Sequence, residues 1–174
     1  MADRRISFGP LRTAIAVAAM LAAGCGGGSG SPSSPSYPAV KGTYGSYGGM
    51  PIGGSHLRWI APDGTSTTQD CWAVTTIPIQ NGAQFAGSVD RLAPCNSQAT
   101  LAGTVAADGT FTFTLTQARW GTCTMTGGGQ YTGIVSLGSL ASNGRVSVQC
   151  DDGRSMTIDE QLSGSLPTPP STPG

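Results

Sequence analysis

The sequence predicts an all-β domain, and three observations predict it. Apolar and polar residues alternate with strand period, hairpin turn dipeptides recur, and one glycine-centred module repeats along the chain. Between Val40 and Leu166 no apolar stripe of helical period is sustained. The segment reads as roughly eight to ten strands in mainly antiparallel order.

The repeated module is an apolar residue, a small or polar one, Gly, any residue, then an apolar one. It occurs as Val40-Lys41-Gly42-Thr43-Tyr44, Phe85-Ala86-Gly87-Ser88-Val89 and Leu101-Ala102-Gly103-Thr104-Val105. It returns as Tyr131-Thr132-Gly133-Ile134-Val135 and Leu162-Ser163-Gly164-Ser165-Leu166. Residues two apart on a strand share a face, so both apolar residues and the glycine point inward together. An inward glycine marks a bend or the close approach of another backbone. Strongly coiled sheets and small barrels need such points.

Other strands follow from simple alternation. Phe111, Phe113 and Leu115 face away from Thr110, Thr112, Thr114 and Thr116, and Val146, Val148 and Cys150 oppose Arg145, Ser147 and Gln149. Turns are expected at Pro62-Asp63-Gly64, Asn81-Gly82, Asp108-Gly109, Asn143-Gly144 and Asp152-Gly153, because Asn-Gly and Asp-Gly accept the positive φ of tight hairpins. Short connections and inward glycines favour an up-and-down barrel over a two-sheet sandwich. Gly42-x-Tyr44 in the first strand also resembles the G-x-W motif of lipocalin-like barrels. That resemblance implies the same closure.

The cysteines divide into one and four. Cys71, Cys95, Cys123 and Cys150 lack C-x-x-C spacing, which argues against zinc, and in an oxidising compartment they are expected to pair. A hairpin turning at Asn81-Gly82 sets Cys71 opposite about residue 92, a few residues short of Cys95. The pairing favoured is therefore Cys71–Cys95, with Cys123–Cys150 by elimination.

Cys25 stands apart. Arg4, Arg5 and Arg12 precede an uncharged run from Thr13 to Gly24, a basic head and short apolar middle that read as a secretory signal. Leu21-Ala22-Ala23-Gly24-Cys25 resembles the lipobox of bacterial lipoproteins. The resemblance implies cleavage before Cys25, acylation of its thiol and new N-terminus, and a membrane anchor. Because Gly26 replaces the Asp that retains such proteins at the inner membrane, it also implies the outer membrane. The expected organisation is a signal at 1–24, a lipidated Cys and Gly/Ser/Pro tether at 25–38, the β domain at 39–166 and a Pro-rich tail at 167–174.

Of nine Lys and Arg, three precede Cys25, and of nine Asp and Glu, only Asp3 does. The remaining six against eight leave a net charge near −2, with no basic patch for nucleic acid.

Catalytic signals are sparse. His56 is the single histidine; Asp63 or Asp70 could partner it, but no G-x-S-x-G elbow positions a serine. Asp151-Asp152 reads as part of a turn and Asp159-Glu160 as a solvated strand end, and neither lies in a calcium loop. Aromatics offer more: Arg58-Trp59 and Arg119-Trp120 repeat one pair, Trp72 follows Cys71, and Tyr44 and Tyr47 stand in a Gly-rich stretch. These seven residues are either core packing beside the cystines, with each Arg outward, or a surface for a sugar, ring or protein. Val148-Gln149-Cys150-Asp151-Asp152-Gly153 resembles the opening turn of periplasmic C-type lysozyme inhibitors, yet it falls near the domain's end, so no inhibitory residues carry over.

The expected function is a cell-envelope lipoprotein module, non-catalytic, binding a protein or glycan through its surface. The alternative is a barrel that carries a small apolar or aromatic ligand. No metal or other cofactor is expected.

Overall fold

The computed structural model describes residues 36–47 and 50–167. The signal segment, Cys25 and most of the tether and tail lie outside the described residues. Twelve strands are present and, among the described residues, no helix. They are β1 (Gly42–Tyr44), β2 (Ser46–Tyr47), β3 (Met50–Pro51), β4 (Gly54–Ile60), β5 (Ser66–Asn81) and β6 (Gln84–Arg91). Next come β7 (Ser97–Val105), β8 (Thr110–Thr116), β9 (Arg119–Trp120), β10 (Cys123–Ser136), β11 (Ser139–Cys150) and β12 (Ser155–Ser165).

Strands β4, β5, β6, β7, β8, β10, β11 and β12 form a closed antiparallel barrel of up-and-down topology, each beside its chain neighbour. Pairing of β12 with β4 closes the ring, so the sandwich alternative falls away. The first wall is composite. Strand β1 pairs with Thr75–Ile77 of β5, the chain leaves for the small β2–β3 hairpin, and β4 then pairs with Ser66–Trp72 of the same β5. Gly45 and Gly53 pinch this detour. A Cβ on Gly53 would run into the Ala73 carbonyl oxygen and the Gly45 Cα.

The repeated glycines behave as their parity requires. A Cβ on Gly103 would strike Phe113, one on Gly133 would strike Phe111, and one on Gly164 would crowd Tyr44. On Gly87 it would meet the Thr76 carbonyl oxygen, where β5 carries a bulge between Thr76 and Ile79. Pro78 lies inside that bulge; lacking an N–H, it could not serve the ladder there. In β10, Gly128 and Gly129 take φ of 74° and 80° at the second of two further bulges, the first lying at Thr126, and together these coil the strand.

Three of the five expected turns form where expected, and a fourth is displaced by one residue, since Asn81 ends β5 opposite Gln84 and Gly82-Ala83 make the loop. Asp63 and Asp108 each accept bonds from the N–H and hydroxyl of the Thr two residues on, and Asp152 accepts from the N–H of Arg154. The Thr bonds hold the Asp63 and Asp108 carboxyls below the usual range, and the Arg154 guanidinium, with its N–H second, does the same for Asp152. Asn143-Gly144 is the exception: it lies within β11, and the β10–β11 turn falls at Leu137-Gly138 instead. Gly144 is needed as a space rather than a hinge, because the Tyr131 ring lies where its Cβ would be.

Both expected disulfides are present. Cys71–Cys95 ties β5 to the β6–β7 loop, with Cα atoms 5.9 Å apart. Cys123–Cys150 joins directly opposed residues of β10 and β11, with Cα atoms 3.8 Å apart. Both lie toward one end of the barrel, here called the cystine end.

Candidate functional site

Barrel strands have two walls, and ligand chemistry could sit on either. Toward the end opposite the cystines the inner wall is apolar. Phe85 meets Phe111 edge-on at 6.2 Å, Phe111 stacks on Phe113 at 5.8 Å, and Phe113 stacks on Tyr131 at 4.8 Å. The void left among Val40, Ile77, Phe85, Leu101, Phe111 and Leu140 amounts to about 10 Å³. That is roughly the room a single water needs.

Toward the cystine end the interior is polar. Arg91 at the end of β6 and Glu160 in the middle of β12 are each 1% exposed, and they form a bidentate ion pair at 2.5 and 2.7 Å. Two more groups donate to that carboxylate: Ser55 Oγ and Tyr131 Oη, each at 2.5 Å. Tyr131 reaches it from β10 across the gap over Gly144 on β11. Trp120 closes the stack, with the Arg91 guanidinium 4.9 Å from its ring centroid. Burial, and next the Glu160 carboxylate, push the Tyr131 phenol up, so it remains a donor. Burial alone would lower the Arg91 guanidinium, but Glu160 reverses the sign and holds it above its ordinary value. Two buried polar atoms, Trp120 Nε1 and Ser142 Oγ, have no hydrogen-bond partner.

The outer wall carries a groove of about 580 Å³ across β11, β12, β4 and β5, a size within the range of small-molecule sites. Sheet register builds it in parallel rows. Its floor is the row Ala141, Ser163, Gly54, all small, which ends at Trp72. Beside the floor runs a polar row in the same strand order: Asn143, Gln161, His56, Asp70. His56 Nδ1 lies 2.6 Å from Asp70 Oδ1. The next row is charged and self-neutralising. Arg145 grips Asp159 through two bonds, which holds that carboxyl low, and Arg58 stands beside it. Trp72 is 55% exposed and forms the end wall with Ala93 and Pro94.

The seven aromatic and arginine candidates do not converge on one place. Tyr44 is fully buried, its hydroxyl donating to the Val40 carbonyl. Tyr47 pairs with Met50 in the β2–β3 hairpin. Trp120 is buried over Arg91, while Trp59 is half-buried against the core and borders a depression at the cystine end with Trp120. Arg119 is exposed and bonded to Asp151, and Arg58 is bonded to Ser66. Only Trp72 reaches the outer groove. Of the two possible partners for His56, Asp70 is at hand, and Asp63 caps its own turn.

Glu160 is not at a solvated strand end but inside the barrel, because Ile158, Glu160 and Leu162 share one strand face. Arg91 escaped notice in the sequence, although it continues the inward parity of Phe85 and Val89. Two opposite charges at inward positions were the available signal. No known protein family, curated protein or solved structure matches the chain.

Proposed function

We propose that this chain is a non-catalytic binding module of a bacterial cell envelope, anchored through Cys25 and working through its outer wall. One observation carries the reading: the void among the interior Phe85, Leu101 and Phe111 is about 10 Å³, whereas the outer groove offers about 580 Å³ beside the exposed Trp72. Lipid anchorage is expected to place the protein in the outer-membrane fraction, and Cys25→Ala to remove it from that fraction and abolish its acylation.

A second reading, a small ligand carried inside, draws on the unpartnered Trp120 Nε1 and Ser142 Oγ. Native mass spectrometry of the exported domain separates the two. A bare mass is expected; a reproducible added mass released only on unfolding would overturn the outer-wall reading in favour of a carrier.

A further inference from the structure

The outer groove has a shape and a chemistry that select among possible partners. Its floor of Ala141, Ser163 and Gly54 crosses three adjacent strands and ends on Trp72 of a fourth. Three strand spacings make a trough of about 14 Å, the length of a short oligosaccharide. Along one side, Asn143, Gln161 and the His56–Asp70 pair present hydrogen-bonding groups in fixed register. Two amides each offer both donors and an acceptor, and Asp70 adds carboxylate oxygens. At the trough's end a half-exposed indole stands as a platform.

We propose that this groove binds an uncharged oligosaccharide segment laid across the strands, with one pyranose ring against Trp72 and its neighbours' hydroxyls on Asn143, Gln161 and Asp70. The inference rests on the outer-wall reading above and names its ligand class. Three features favour a glycan. A sugar ring has an apolar C–H face and an equatorial rim of hydroxyls, and the groove supplies one aromatic face and one polar row. The adjoining arginines do not mark an anion site, since Arg145 is held by Asp159 and Arg58 lies beside that same pair. A protein partner would need an apolar centre within a patch of about 800 Å² per side. Of the large exposed hydrophobics, Trp72 alone lines the groove itself; Ile134 on β10 continues the floor row beyond Ala141 and Leu92 adjoins Trp72, so exposed apolar side chains stand at the two ends and the centre between them is small and polar.

Nuclear magnetic resonance of the folded domain tests this directly. The probes are neutral trisaccharides: β-1,4-linked glucose, β-1,4-linked N-acetylglucosamine, α-1,4-linked glucose and β-1,4-linked mannose. At least one is expected to shift the Trp72 indole N–H and the Asn143 and Gln161 side-chain amides together. Trp72→Ala should weaken that binding at least tenfold while leaving the thermal midpoint unchanged, and Gln161→Ala should weaken it several-fold. If none of the four perturbs these signals at millimolar concentration, the glycan assignment is overturned. Should a sugar instead shift Trp59 and Trp120 and leave Trp72 untouched, both the glycan site and the outer-wall reading fall. A photo-crosslinking residue at position 72 that captures one defined envelope protein in living cells would overturn the glycan while keeping the outer wall.

Discussion

The two halves of the barrel interior are filled by opposite chemistry. Away from the cystines, Phe85, Phe111 and Phe113 interlock with Ile77, Leu101 and Leu140, and the inward glycines make room for the rings. Near the cystines, the same cylinder holds Arg91, Glu160, Ser55, Ser97 and Tyr131 beneath Trp120. The apolar half needs volume, and several side chains could supply it. The polar half needs direction, since each Glu160 oxygen accepts two bonds, and the donors come from three different strands, β4, β6 and β10. Such a network specifies one closure of the ring; whether it also stabilises it depends on the burial of two charges.

Removing Glu160 should break the comparison most sharply. Glu160→Ala leaves Arg91 buried without its partner, and a loss of about 3–5 kcal/mol is expected. The double substitution Arg91→Met with Glu160→Leu should recover most of it. Denaturant titration of all three proteins decides this, and a single variant as stable as the parent would show that the pair is not buried in solution.

Gly144→Ala attacks the same network from its floor. The new methyl must displace the Tyr131 ring, and overpacking of this kind costs about 1–3 kcal/mol. By contrast, Ile77→Leu in the apolar half should cost only about 1 kcal/mol, because a volume-conserving hydrophobic swap can repack. Equal losses from the two substitutions would erase the distinction between the halves.

Smaller effects follow from protonation. The Tyr131 phenol is raised above its ordinary value of 10.0, so the folded state keeps a proton that the unfolded chain releases. Its contribution is complete below pH about 10 and is lost as pH rises further. Tyr131→Phe should flatten the alkaline limb of a melting-temperature profile; an unchanged limb would mean that the phenol is accessible. At the other extreme, Asp63 and Asp108 are held low by their turn bonds, and Asp152 by the Arg154 guanidinium and its N–H. Their help is present above the ordinary carboxylate range and fades as pH falls below it. Asp108→Asn should therefore lower the melting temperature slightly at neutral pH and not at pH 3, and an effect at pH 3 as large as at neutral pH would contradict that assignment.

How much of this was legible varies with the distance over which residues interact. Strand alternation and the Asp-Gly turns are local, so Phe111 to Leu115 and the turns at Asp63, Asp108 and Asp152 could be read directly. Cys71–Cys95 was readable because one hairpin register nearly aligns its ends. Asn143-Gly144 misled, since a pair that suits a tight turn also suits a strand that must leave space for a neighbouring ring. Trp72 could be named from sequence, yet its surroundings could not. The groove draws Asn143, Gln161, His56 and Asp70 from four strands whose alignment exists only once the ring closes.

By itself, then, the chain's period-two pattern, inward glycines and cysteine spacing determined an all-β, disulfide-tied domain with an apolar inner face. Tertiary structure alone decided that Arg91 on β6 meets Glu160 on β12, strands separated by two others around the barrel. It also decided that a row of small residues ends at Trp72. The physical reason is that local alternation sets which wall a side chain faces, whereas closure and stagger of the sheet set what it faces across that wall.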